Sequence, residues 1–192
     1  MRETSDMDVL TAIETRRSIK KFTDRPVTRE EFEALFAAAA RAPNHRMTEP
    51  WRFYVLGAEA RRAYGRVLAA RKARRVEDPA AAAQVAAKVE EEHAALPGMI
   101  AMVMHEDENP EIREEDYGAM MMSAENLALA AVAMGLGTHI KTGAVMQDPD
   151  ARSAVGVADN ERIVAIVNVG EPAETPAPKA RRPAIEFTTW VD

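Results

Sequence analysis

The sequence predicts an α+β domain of three layers, with helices covering both faces of a central sheet. Three observations carry this. Met99-Ile100-Ala101-Met102-Val103-Met104 is an unbroken apolar run of strand length, best explained as a strand buried on both faces. Trp51, Phe53 and Val55 alternate with Arg52, Tyr54 and Leu56, which reads as a second strand stopping at Gly57. From Tyr117 to Leu136 the chain is almost uniformly apolar, with Ser123, Glu125 and Asn126 in the middle, so it reads as a helix surrounded by protein. At 192 residues the chain supports one sizeable core, so residues 1–192 are taken as a single domain.

The remaining elements follow in order. From Asp6, a plausible N-cap, Val9, Leu10 and Ile13 recur at helical spacing, and this first helix delivers Arg16 to its end. Arg25-Pro26-Val27 breaks the chain. Thr28 and Glu31 have capping-box spacing, and Phe32, Leu35, Phe36 and Ala39 form one apolar stripe until Ala42-Pro43. Beyond Gly57 the composition turns Ala-, Arg- and Glu-rich, interrupted at Asp78-Pro79, where Asp caps and Pro takes the first helical position. Helices at about 58–76 and 79–94 follow. Their apolar stripe is thin, so the excursion over 58–95 is expected to pack lightly on the outside, as a candidate lid. Gly135-Leu136-Gly137 stops the long helix, and Thr138–Lys141 forms a short strand before Thr142-Gly143. Asp148-Pro149 starts a helix to about Val155, and Arg162–Val169 is the last strand. The segment from Glu171 to Pro183 is Pro-rich and extended, yet ends in the apolar stretch Ala184–Trp190.

Composition excludes several function classes. There is no cysteine, which removes disulfides, thiolate metal sites and Cys nucleophiles and suits a reducing compartment. The net charge of −6 argues against nucleic acid as the main partner. The N-terminus lacks the apolar core of a signal peptide and no stretch reads as a membrane span, so a cytoplasmic protein is the simplest reading. The histidines His45, His93, His105 and His139 are scattered without ligand spacing, so no metal site is expected. Gly135-Leu136-Gly137 follows a helix and lacks the dinucleotide fingerprint, and no Gly-x-Ser-x-Gly elbow occurs.

Two stretches carry chemistry. Arg16-Arg17-Ser18-Ile19-Lys20-Lys21-Phe22 sets guanidinium forks, ammonium groups and a hydroxyl side by side, a set that suits a phosphate dianion. On composition alone the same cations would simply offset the dipole of a helix end. Ala42–Phe53 is a polar, Pro-bounded loop running into an aromatic strand, the form of a ligand-facing loop.

Arg16 to Phe22, Pro26-Val27, Ala42 to Phe53, Gly135-Leu136-Gly137, Thr142-Gly143 and Gly170-Glu171-Pro172, in that order, resemble the nitroreductase-like FMN-dependent oxidoreductases. The resemblance covers most of the chain and is weakest over about 57–97. It implies a nitroreductase-like fold with a mixed central sheet, a homodimer with FMN at the subunit interface, and a C-terminal arm over about 171–192 exchanged with the partner. It puts Arg16, Ser18, Lys20 and Arg182 at the FMN phosphate, with Arg17 a weaker member that pairs with an acid instead. It puts Pro43, Asn44 and His45 beside the flavin, and Glu49 where many relatives carry Gln or Asn facing the ring. Ile140, Lys141 and Thr142 fall against the pyrimidine side, where Lys141 or a backbone N–H would stabilise charge on the ring. The implied activity is ping-pong hydride transfer from NAD(P)H through FMN to a nitroaromatic, quinone or enone, with no side-chain nucleophile. The alternatives are other flavin chemistry on the same fold, such as dehalogenation or flavin fragmentation, and a non-catalytic flavin store or sensor.

Overall fold

Short polar side chains punctuate the chain. In the computed structural model, which describes residues 7–191, α1 (Val9–Thr15) starts at Asp8, whose carboxylate accepts from the Leu10 and Thr11 N–H groups. Asp6, the expected cap, lies outside the described residues. α2 (Arg29–Ala39) opens on the expected capping box between Thr28 and Glu31. β1 (Trp51–Val55) is followed by α3 (Ala58–Ala73) and α4 (Pro79–Ala94), the latter capped by Asp78 with Pro79 in its first turn, as predicted. β2 (Gly98–His105) leads to α5 (Pro110–Ala133), which begins at an Asn109 cap about two turns before Tyr117, where the apolar run starts. Gly135 ends it with φ 72°. Its N–H bonds the Val132 carbonyl and the Leu136 N–H bonds that of Ala131, a Schellman stop. β3 (Gly137–Lys141), α6 (Pro149–Val155) and β4 (Glu161–Gly170) complete the fold.

The sheet order is β1-β2-β4-β3, and each ladder is antiparallel. The connections explain this. Two helices separate β1 from β2, which returns the chain to the end it left, whereas the single helix α5 makes β2 and β3 point the same way. β4 then inserts between those two and opposes both. The expected mixed character is therefore confined to one parallel bridge, Ser18 with Thr138, outside the four strands.

β2 is the middle of the molecule, and its residues 99–104 are fully buried. Ile100, Met102 and Met104 face α2 and α5, packing with Leu35, Met120 and Leu127. Met99, Ala101 and Val103 face the other layer, with Tyr64 of α3 and Ala151 and Val155 of α6. At roughly 1.5–3 kcal/mol for each large apolar side chain, this two-sided burial dominates the stability of the sheet. A bulge leaves Val164 unpaired between the Met102–Ala165 and Val103–Ile163 partners.

The 58–95 excursion departs from the loose packing expected of it. α3 forms the outer layer beside α6, and its Tyr64 is buried to 1% exposure; burial pushes the Tyr64 hydroxyl up to about 12. α4 lies against α3 and buries Val89, His93 and Ala94. A stripe of Ala and Val is thin by volume, but it lets two helices approach closely.

The segment after α1 runs along the β3 edge, where the Ile19 N–H donates to the Thr138 carbonyl at 2.8 Å. A Cβ on Gly137 would stand 2.9 Å from Ile19 Cβ and 3.1 Å from Pro172 Cγ. Gly137→Ala is therefore expected to cost about 1–3 kcal/mol by overpacking, read as a lowered urea midpoint with unchanged m-value. An unchanged midpoint would mean that this edge is not held against β3.

Candidate functional site

Where α1 ends, the chain turns into the edge segment, so Arg16, Arg17, Ser18 and Lys20 leave one short stretch. Together with the tail they line an open groove of about 480 Å³, closed on the other side by Pro176, Pro178, Lys179 and Arg181. The tail is held there by backbone bonds: Thr23 N–H to the Glu171 carbonyl at 2.9 Å and Ala173 N–H to the Lys21 carbonyl at 3.0 Å. Lys21 adds an ion pair to Glu174 at 3.0 Å.

The cations of this groove are not equivalent. Arg16 Nε lies 3.4 Å from Glu125 of α5, so the acid pairing expected of Arg17 falls on Arg16. Arg17 instead donates from Nη1 to the Glu14 and Arg16 carbonyls at 2.6 and 2.9 Å, satisfying the end of α1. Lys20, Lys179 and Arg181 make no ion pair with a carboxylate among the described residues, and Arg16, whose Nε faces Glu125, lines the same groove and has its Nη groups as further donors to an anion. Arg182 is turned away. It lies 3.7 Å from Glu186 and 4.2 Å from the Phe187 ring centroid. In an extended chain, residues two apart share a side, so Lys179 and Arg181 face the groove while Arg182 does not. That period was the signal in the sequence that could have selected Arg181.

The loop carrying Pro43, Asn44, His45 and Glu49 forms a separate cluster on the first turns of α5. Asn44 Nδ2 donates to Asp116 Oδ1 at 3.2 Å, and Arg46 pairs with Glu115 at 2.8 Å and with Glu111 at 3.4 Å. Pro43 and His45 are exposed, and Glu49 is exposed with φ 46°, while Met47 has φ 52°. Two non-glycine residues in the left-handed region within one short loop mark stored backbone strain, which clusters at ligand-facing sites. Glu125, beside Arg16, and Asp116, beside Asn44, lie roughly 13 Å apart along α5 at about 1.5 Å per residue. The loop and the groove therefore do not share a cavity within one chain.

At the end of β3, Ile140 packs into the core shared with α5, and Thr142 is exposed ahead of Gly143. Lys141 points to the opposite face, its Nζ 3.5 Å from His93 Nε2 on α4. Burial and then the neighbouring Lys72 hold the Lys141 pKa below its ordinary value, against the opposing pull of Glu92. His93 Nδ1 lies 2.7 Å from the Val89 carbonyl, which can only accept, so Nδ1 carries the proton and Nε2 offers its lone pair to Lys141. The structure thus spends Lys141 on α4 and leaves the Thr142-Gly143 backbone as the β3 group open to a ligand. Among the described residues no helix is long and apolar enough to cross a membrane, and no group of three His, Cys, Asp or Glu side chains is gathered to hold a metal.

This arrangement of an edge cation cluster, a strained polar loop and a small turn after β3 has relatives. Residues 13–171 match the model of the nitroreductase family, and the chain belongs to that family. The Bacillus subtilis protein YfhC, whose provisional name is NAD(P)H nitroreductase, is 34% identical over 171 residues, covering 89% of this chain and 88% of YfhC. Among solved structures, a nitroreductase-like family protein from Bacillus cereus superposes with a TM-score of 0.84 at 28% identity, covering 98% of both chains. The FMN- and NADPH-dependent nitroreductase NfnB from Sphigopyxis sp. strain HMH has the same fold, with a TM-score of 0.78 at 21% identity over 97% of this chain and 100% of NfnB.

Burial, then the charges of Lys141 and Lys72, hold the His93 pKa below its ordinary value. The folded protein thus resists a proton that the unfolded chain accepts near pH 6.5. Stability from this source is complete above about pH 6.5 and is lost as the pH falls below it. The urea midpoint should drop between pH 7.5 and 5.5, and His93→Gln should flatten that drop. An equal drop in the variant would remove His93 as its cause.

Proposed function

We propose that the chain is an FMN-dependent NAD(P)H oxidoreductase of nitroreductase type that works as a homodimer. The observation that carries this is the groove of Arg16, Ser18, Lys20, Lys179 and Arg181. In a chain of net charge −6, these cations and a hydroxyl converge on a volume suited to a phosphate dianion. The residues fit the cofactor's polar end. Arg16 and Arg181 offer planar forks, Lys20 and Lys179 point charges, and Ser18 a hydroxyl.

When bound, the flavin supplies the redox chemistry, accepting hydride from NAD(P)H and reducing a nitroaromatic, quinone or enone in a ping-pong sequence. The chain's own residues position and exclude. The Thr142-Gly143 backbone and the loop from Pro43 to Glu49 would border the ring, with Glu49 accepting a hydrogen bond from an N–H donor. Because groove and loop stand apart in one chain, a complete site needs the groove of one subunit and the loop of the other. The surface supports a second copy: Val9 and Leu10 of α1 and Met122 of α5 are exposed, and Trp190 in the tail is 81% exposed. Exposed apolar side chains of this size are best used by docking on a partner. The cysteine-free chain suits the reducing cytoplasm.

The test is a visible absorption spectrum of the purified protein, repeated anaerobically with NADPH and then NADH. A flavin band that bleaches is expected. A band that persists would favour the store or sensor, and no band even after added FMN would overturn the reading. Arg16→Ala and Arg181→Ala should each weaken FMN binding about tenfold or more, the loss of a charge-assisted hydrogen bond, whereas Arg182→Ala should change it less than about threefold. Equal losses for Arg181 and Arg182 in a fluorescence titration would contradict the groove assignment.

A further inference from the structure

Asp116 is 2% exposed on α5, and no Lys, Arg or His among the described residues pairs with it; its cationic neighbour Arg46 is engaged by Glu115 and Glu111. A buried carboxylate without a counter-ion is costly and is retained where its hydrogen bonds fix something. Its partners all lie in the strained loop. The Thr48 hydroxyl donates to Asp116 Oδ1 in a short bond. Asn44 Nδ2 donates both to Asp116 Oδ1, at 3.2 Å, and to Thr48 Oγ1, at 3.0 Å. Because an ionised carboxylate only accepts, the Asn44 amide must turn its NH2 toward α5. Its oxygen is then forced to the other side, where it accepts the Glu49 N–H at 2.8 Å. Glu49 is the residue held at φ 46°.

We propose that Asp116 is a positioning residue for the flavin site: through Thr48 and the orientation of the Asn44 amide it fixes the left-handed backbone of Glu49 and so the placement of the Glu49 carboxylate against the cofactor. This rests on the reading of the loop as the flavin-bordering wall. The acceptor oxygen of Asp116 sets the direction of the whole relay, and Asp116 acts through the loop without itself bordering the cofactor.

The experiment uses the FMN-loaded dimer, with NADPH as donor and p-benzoquinone as acceptor. Asp116→Ala should lower kcat/KM about tenfold, as expected when a reacting surface is misplaced by a fraction of an ångström, with FMN content per protomer unchanged. Asp116→Asn keeps an oxygen acceptor and should stay within about threefold of the parent. In a Glu49→Ala background, Asp116→Ala should have no further effect. An Asp116→Ala loss of the same size with and without Glu49, or no rescue by Asp116→Asn, would overturn the proposal while leaving the flavin enzyme intact. Failure of the parent protein to bind or reduce FMN would instead bring down the reading on which the proposal rests. Should Asp116→Ala not fold, Thr48→Val removes one donor from an exposed side chain and should lower kcat/KM about threefold; no loss there would also overturn it.

Discussion

The edge pairing between the segment after α1 and β3 is the contact on which the rest depends. The Ile19 N–H bonds the Thr138 carbonyl, Ser18 bridges to Thr138, and Phe22 bridges to Pro172, all against a Gly137 that has no room for a side chain. Ile19 is buried in that contact, so Ser18 and Lys20 are left facing out. Because the tail leaves β4 next to β3, it returns along the same segment and brings Lys179 and Arg181 opposite Arg16. The groove is a consequence of sheet order, built from residues more than 150 positions apart.

α5 ties this edge to the second half of the site. Its apolar face is the roof of the core, and two of its acidic residues reach the two walls of the candidate site: Glu125 meets Arg16, and Asp116 accepts from Asn44 and Thr48. Asn126 instead donates to the Ala38 carbonyl of α2. The geometry also bears on the proposed dimer. The two walls stand roughly 13 Å apart along one helix axis, a gap that the second copy of the proposed dimer would close.

Much of this was legible in the sequence because its signals are local. Thr28 with Glu31, Asp78-Pro79, Asp148-Pro149 and the run from Met99 to Met104 each specify their element through neighbours a few residues away. What was not legible depends on which residues meet across the chain. The partner of Arg16 lies on α5, and composition at residues 16–17 could not say which arginine would find it. Lys141 alternates with Ile140 along β3, but only the position of α4 shows that its side holds His93 and not the groove. The packing of 58–95 was underestimated because small residues carry little hydropathy yet pack closely. Asp116 follows Glu114 and Glu115 with nothing local to set it apart, whereas in the fold it is the buried acceptor of the loop.

The central claim is that the groove between the edge segment and the tail recognises a phosphate. The most direct test is to titrate flavin-free protein with FMN and with riboflavin, which differ only in that phosphate. The account predicts that FMN binds much more tightly and that the preference shrinks sharply in Arg16→Ala. Equal affinities for the two flavins would contradict it, because the groove would then be a charged surface with no part in holding the cofactor.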